Sequence, residues 1–257
     1  MQFRPCIDIH NGRVKQIVGG SLQDEGDRAC ENFIAEKDSA YYARLYKEKG
    51  LTGGHVILLN GRDSSFYEAT RAETLRALEA YPGGLQAGGG IGADNAAEYI
   101  AAGASHVIVT SYVFSEGRIN FENLKKLCEA VGRRHLVLDM SCRKKDGKYL
   151  VVTDRWQKFT SETVCPGLFE SLGEYCDEFL VHGVDVEGKR AGADLELLGI
   201  LSEVSDIPIT YAGGVGSLED IRAIKEYGRD RINVTVGSSL DIFGGGLHMD
   251  DIIEIVK

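Results

Sequence analysis

No stretch of this chain approaches the roughly 18 consecutive apolar residues that a membrane span requires, so no membrane partner is expected. The first residues, Met1 to Pro5, run straight into a short apolar segment and lack the longer apolar core of a secretory signal. Positive charge is in deficit: 29 Lys and Arg stand against 39 Asp and Glu, a formal net charge of −10. Nucleic acids and anionic membranes both demand a basic face, which excludes them as main partners. Cysteine pairs are missing too. Cys6, Cys30, Cys128, Cys142, Cys165 and Cys176 are scattered, none in a C-x-x-C spacing, and no Cys/His spacing along the chain suits zinc. They read as free thiols of a reducing compartment, so the expected location is cytoplasmic. Proline is scarce, with 4 residues in 257, whereas glycine is abundant at 32. The glycines cluster at the ends of apolar runs rather than in a low-complexity tract.

What is present is an alternation. Eight short apolar runs read as strands: Phe3–Ile9, His55–Leu59, Leu85–Ala87, His106–Thr110, His135–Asp139, Glu178–His182, Ile207–Tyr211 and Arg231–Val236. Several are apolar on both pleat faces, the pattern of parallel strands buried on both sides. Amphipathic stretches lie between them. Ser39–Lys49 stops at Gly50, Ala93–Ala102 at Gly103, Phe121–Ala130 near Gly132, and Leu218–Tyr227 at Gly228 with Ser217 placed to cap its start. Eight strand–helix alternations in one domain spanning residues 1–257 predict an α/β fold, a (β/α)8 TIM barrel, with an open doubly wound sheet as the alternative.

The chain also echoes itself. Gly88-Gly89-Gly90-Ile91 matches Ala212-Gly213-Gly214-Val215, and aligning Gly89 with Gly213 gives an offset of 124 residues (213 − 89). The next strands end in Thr110-Ser111 and in Gly237-Ser238-Ser239. Asp8 and Asp139 each close an apolar run, offset by 131 (139 − 8). A repeat of this length implies a barrel built from two half-barrels rather than a solenoid.

The repeat carries the candidate chemistry. Glycines after a strand let the backbone approach a ligand closely, and barrel phosphate sites commonly use the loops after strands seven and eight. Gly213, Gly214, Gly237 and Ser238 form one candidate phosphate site, with residues 239–243 as its short helix. Gly89, Gly90, Thr110 and Ser111 form the second. The ligand expected is therefore a small molecule with two phosphates. The plain alternative for each cluster is a tight strand-to-helix turn. No G-x-x-x-x-G-K-[ST] loop is present, so ATP is not expected. Asp8 and Asp139 would stand on opposite sides of the mouth, suited to a base and an acid; otherwise each is a cap or an ion-pair member.

Trp156, the single Trp, lies in the long segment 141–165 after strand five, which reads as a basic hairpin or flexible loop and a lid over the site. Trp156 either stacks on a heterocycle or anchors the loop, and Arg143 is a candidate ligand contact there. His182 either contacts substrate or is a satisfied core histidine. No metal and no cofactor are assigned.

These residues together resemble the histidine-biosynthesis barrels, the ProFAR isomerases and their sister cyclase subunits, over essentially the whole chain. The resemblance rests on Cys6-Ile7-Asp8-Ile9-His10-Asn11-Gly12, the two glycine clusters, and Val14-Lys15-Gln16-Ile17-Val18-Gly19-Gly20. Ser141-Cys142-Arg143-Lys144, Asp185-Val186-Glu187-Gly188 and 237–245 add to it, and are similar to the isomerase of fungi and other eukaryotes. It implies an Amadori rearrangement of a bisphosphorylated aminoaldose, with Asp139 as general acid, Asp8 as general base and no cofactor, carried out by a monomer. The sequence departs from bacterial isomerases in Ile57-Leu58-Leu59-Asn60, where a Val-Asp-Leu-type string with an acidic residue is usual, at Gly183 after His182, and at Gln16 in place of Arg. The cyclase has Lys at the Gln16 position, which disfavours it. A barrel that only binds phosphates is the remaining alternative.

Overall fold

The structure is a computed structural model describing residues 1–17, 29–204 and 206–257. Val18-Gly19-Gly20 of the resemblance lie outside the described residues.

All eight apolar runs are parallel strands: β1 (Cys6–His10), β2 (Gly54–Leu58), β3 (Leu85–Gly88), β4 (His106–Val109), β5 (Leu136–Asp139), β6 (Glu178–His182), β7 (Ile209–Ala212) and β8 (Ile232–Val234). They follow one another in space in chain order. The ring closes where Phe3 bridges Val234 in parallel. There Arg4 N donates to Val234 O (2.8 Å) and Val234 N donates to Gln2 O (2.9 Å). The fold is a TIM barrel.

A helix follows each strand: α1 (Ser39–Glu48), α2 (Tyr67–Ala80), α3 (Ala96–Ala101), α4 (Phe121–Val131), α5 (Pro166–Gly173), α6 (Leu195–Ser202), α7 (Leu218–Tyr227) and α8 (Met249–Val256). Local chemistry sets their starts. Ser217 and Asp220 form a reciprocal capping box on α7, and the Asp38 carboxylate accepts from Tyr41 N at 2.9 Å to start α1. No helix among the described residues is long and apolar enough to cross a membrane.

The outer core fills the space between strands and helices. Inside the ring, Ile57, Ile108, Val137 and Leu180 form a separate small layer. Below it a buried polar group closes the N-terminal end of the barrel. Glu178, 4% exposed, pairs with Arg4 and accepts from Gln86 Nε2 (3.0 Å) and Thr210 Oγ1 (2.6 Å). With its lone pairs filled, this carboxylate can sit where an unpaired charge could not. This group fills the N-terminal end of the barrel, opposite the mouth where the strands end.

Two additions decorate that mouth. Arg13–Ile17 folds back antiparallel on β1 and pairs with Glu31–Ile34. The segment after β5 is an ordered three-stranded antiparallel sheet, Cys142–Lys145, Lys148–Thr153 and Lys158–Thr163, rather than a flexible loop. Its first turn, Asp146-Gly147, has positive φ at both residues (49° and 78°), as a two-residue hairpin turn requires. The short helix expected over 239–243 is a single 3-10 turn, Asp241–Phe243. Leu240 N is already bound to Gly237 O (3.0 Å) and Asp241 N to Leu247 O (2.8 Å), so these two amides are not available to a phosphate.

Candidate active site

In strands buried at almost every position, the half-exposed residues are the informative ones. They include Asp8 in β1, Asp139 at the end of β5 and His182 at the end of β6. All three line a cavity of about 690 Å³. Gly89, Gly90, Thr110 and Ser111 border it on one side, and Gly213, Gly214, Gly237 and Ser238 on the other. The two-fold repeat is visible in the backbone. Gly89 (φ +99°) and Gly213 (φ +124°) occupy equivalent positions, and a Cβ on either would strike a neighbouring carbonyl, Leu58 O or Gly183 O. Glycine is therefore required there by close packing between adjacent loops. Gly90 (φ +64°) differs: a Cβ there meets nothing within 4 Å.

The two aspartates have opposite surroundings. Asp139 Oδ1 accepts from Ser141 N (2.8 Å) and Ser141 Oγ (2.7 Å), and its Oδ2 accepts from Thr110 Oγ1 (3.0 Å). Thr110 thus spends its hydroxyl proton on Asp139. His182 Nδ1 lies 3.7 Å from Asp139 Oδ1, an ion-pair distance too long for a hydrogen bond. Burial pushes the Asp139 carboxyl up, but His182, Ser141 and Thr110 together hold it below its ordinary value. His182 shifts the complementary way: burial lowers it, and Asp139, Glu187 and Asp8 outweigh burial to raise it.

Asp8 has only one weak donor, Gln16 Nε2 at 3.4 Å. Burial, then the negative charge of Glu187, push Asp8 up to about 7, opposed by His182 and Gln16. A buried carboxyl beside a second carboxylate holds its proton more tightly for both reasons. The site therefore contains one carboxyl pushed up to about 7 and one held below its ordinary value beside a histidine shifted upward.

The lid is the second turn of the three-stranded sheet. Asp154, Arg155 and Trp156 take positive φ in succession (51°, 56° and 66°), a conformation that costs non-glycine residues energy. It turns Trp156 and Arg155 into the cavity wall. The Trp156 ring stands 5.7 Å from the His182 ring, and Asp154 N donates to Ser111 Oγ (3.3 Å), tying the turn to the loop after β4. Arg143 is not brought to the cavity. Its Nε donates to Asp185 Oδ1 (3.0 Å) on the outer face of the sheet. Arg190 lines the cavity instead and donates to Ser238 O. Asn60, at the departure from the bacterial pattern, is 3% exposed and accepts from Asn11 N (2.8 Å) and Thr70 Oγ1 (2.7 Å), so it braces two mouth loops.

Sequence reasoning missed Glu187, Arg190 and Gln16 as site residues. Glu187 sat only inside a string quoted for the resemblance, and Gln16 was weighed only as a departure from related barrels. Gln16 was detectable in principle, because its strand must fold back beside Asp8. Glu187 and Arg190 lie in a loop with no periodic signal.

The family description "histidine biosynthesis protein" matches residues 2–245. The chain belongs to that family. It is similar to a chloroplastic protein of Medicago truncatula, 55% identical over 98% of this chain and 81% of the relative. Proteins of Neurospora crassa and Saccharomyces cerevisiae are each 41% identical, over 98% and 96% of this chain and 97% and 94% of the relatives. All three are named 1-(5-phosphoribosyl)-5-((5-phosphoribosylamino)methylideneamino)imidazole-4-carboxamide isomerase. As a member of the family the chain is an enzyme of the isomerase kind. Its relatives do not share one compartment in their names, since only the Medicago protein is called chloroplastic, so the cytoplasmic expectation gains no support.

Proposed function

We propose that this chain converts the aminoaldose of a bisphosphorylated imidazole-carboxamide ribotide to the aminoketose, an Amadori rearrangement. The observation that carries the reading is the opposition across one cavity of two glycine-turn sites, Gly89-Gly90 and Gly213-Gly214, with Asp8 and Asp139 between them. A substrate phosphorylated at both ends spans such a cavity, and its reacting ribose then lies between the carboxyl groups. Arg190 and Arg155 add positive charge to a wall otherwise built from backbone.

The proton inventory supports a direction for the chemistry. His182, at ion-pair distance from Asp139, supplies the proton that Asp139 passes to the ribose ring oxygen once the two groups close to hydrogen-bond distance. The C1–oxygen bond breaks and a Schiff base forms at the substrate nitrogen. Asp8 in its ionised form takes the C2 proton, giving the enolamine, which ketonises to the product. Neither step needs an oxidant. Trp156, beside His182, covers the substrate and excludes water. Neutral Gln16 beside Asp8 argues against the cyclase reading, which the resemblance associates with a lysine at that position.

The test is turnover of the bisphosphorylated ribotide by the purified chain, coupled to the downstream cyclase, beside Asp8→Asn and Asp139→Asn. Wild-type turnover that both variants lose supports the reading. Substrate binding without turnover by the wild type would leave a barrel that only binds.

A further inference from the structure

Read along the chain, no cysteine has a metal-site spacing. Strand pairing makes one anyway. Cys6 and Asp8, two apart on β1, share a pleat face. In the register of β1 with β2, Cys6 is the direct partner of His55. One ligand atom from each of Cys6, Asp8 and His55 lies within 4.8 Å of the others. All three residues line the cavity, so an ion reaches them from the open mouth. Cys6 and His55 are 5% and 3% exposed, which protects an ion once it is bound.

We propose that Cys6, Asp8 and His55 form a binding site for a soft or borderline divalent cation such as Zn²⁺ or Cd²⁺, and that occupancy switches the enzyme off. The donor set is one sulfur, one nitrogen and one oxygen, the mixture such ions favour over Mg²⁺ or Ca²⁺. Zinc bonds of about 2.0–2.3 Å place tetrahedral ligand atoms about 3.3–3.7 Å apart, so the three groups close in by about 1.5 Å at most. Three protein ligands leave a fourth position facing the cavity. The entering ion displaces the Cys6 thiol proton to solvent, and the thiolate and the Asp8 carboxylate then neutralise a divalent ion. Inhibition follows from geometry: the ion takes the Asp8 oxygen lone pair needed to accept the C2 proton. That consequence rests on the reading of Asp8 as the base, whereas binding of the ion does not.

The experiment separates the two. The full chain carries Cys30→Ser and Cys165→Ser to remove the two exposed thiols. CdCl₂ is titrated while the ultraviolet sulfur-to-cadmium charge-transfer band is followed. One equivalent is expected to bind. Cys6→Ser is expected to abolish the band, and His55→Gln to weaken binding by about tenfold or more, the loss typical of a disturbed metal shell. Either variant alone tests the site if the other fails to fold. In turnover assays ZnCl₂ is expected to inhibit, EDTA to restore activity, and Cys6→Ser to raise the half-inhibitory concentration by about tenfold. An unchanged band in Cys6→Ser, or no band in the parent, overturns the site. A band with no inhibition leaves the site standing and overturns the switch. Absence of any turnover on the ribotide counts against the proposed function and not against the site, because the band still reports binding.

Discussion

Asp139 and His182 end adjacent parallel strands with Oδ1 and Nδ1 3.7 Å apart. That contact makes the two carboxyl groups of the site unequal. His182 holds Asp139 low, while Asp8 is faced by Glu187 and held high. By itself that divergence suits the raised carboxyl to giving a proton, so the acid role proposed for Asp139 depends on the proton supplied by His182.

His182→Gln removes the cation. The Asp139 carboxyl is expected to rise and the proton supplied by His182 to be lost, lowering kcat by about 10²-fold, the lower end of general acid–base effects. The pH dependence of kcat/KM is expected to lose its alkaline limb, which belongs to His182. An unchanged limb would remove His182 from proton transfer.

Asp8 acts only when ionised, so the acidic limb of kcat/KM is expected to rise through about pH 7, below the alkaline limb assigned to His182. The same shift has a cost in stability. A carboxyl raised in the folded state binds its proton more tightly folded than unfolded, so stability is lost as pH rises from about 4 to about 7. Asp8→Asn is therefore expected to abolish turnover and to stabilise the fold at pH 8, on the order of 2–4 kcal/mol, with a much smaller gain at pH 4. Denaturant unfolding at both pH values measures it, and equal gains would mean the effect is not titration of Asp8.

Substitution of Gly214 is an uninformative probe of phosphate binding, because a Cβ there lands 2.0 Å from Gly192 O. Gly90 is open. Gly90→Ala costs about 1–2 kcal/mol of backbone strain without a clash. It is expected to raise KM several-fold more than it lowers kcat, since it crowds a bound phosphate in ground and transition states alike. Equal binding of inorganic pyrophosphate or substrate by the variant would take this loop out of the phosphate site.

Trp156 is the only tryptophan, so its emission reports on the lid alone. A bisphosphate ligand is expected to change its intensity saturably. Trp156→Phe is expected to keep most activity, and Trp156→Ala to lose about tenfold in kcat/KM, the scale of one lost stacking contact. Emission indifferent to a saturating ligand would make Trp156 a packing anchor only.

At the far end of the barrel, Arg4→Met leaves Glu178 buried beside Gln86 and Thr210 without its cation. A loss of about 3–5 kcal/mol is expected, with kcat unaltered at temperatures where the variant is folded. Paired replacement by apolar residues is expected to recover much of it, and a double-mutant cycle measures the coupling.

The sequence alone determined the eight strands, four of the eight helices, the half-barrel repeat, and the two aspartates at strand ends. These are local signals: apolar runs report burial, glycines report turns, and a fixed offset reports duplication. The sequence reading does not single out α2, α5, α6 and α8; α2 and α6 show little contrast between their faces, whereas α8 is clearly amphipathic. Only tertiary structure decided that Arg143 faces Asp185 rather than the cavity, that Arg190 and Glu187 reach it, and that 141–165 is an ordered sheet whose strained turn presents Trp156. It also decided which aspartate holds its proton, and that Cys6 meets His55. The physical reason is the same in each case. Backbone periodicity is written in neighbouring residues, whereas a charge environment or a ligand set sums over groups that different strands bring together.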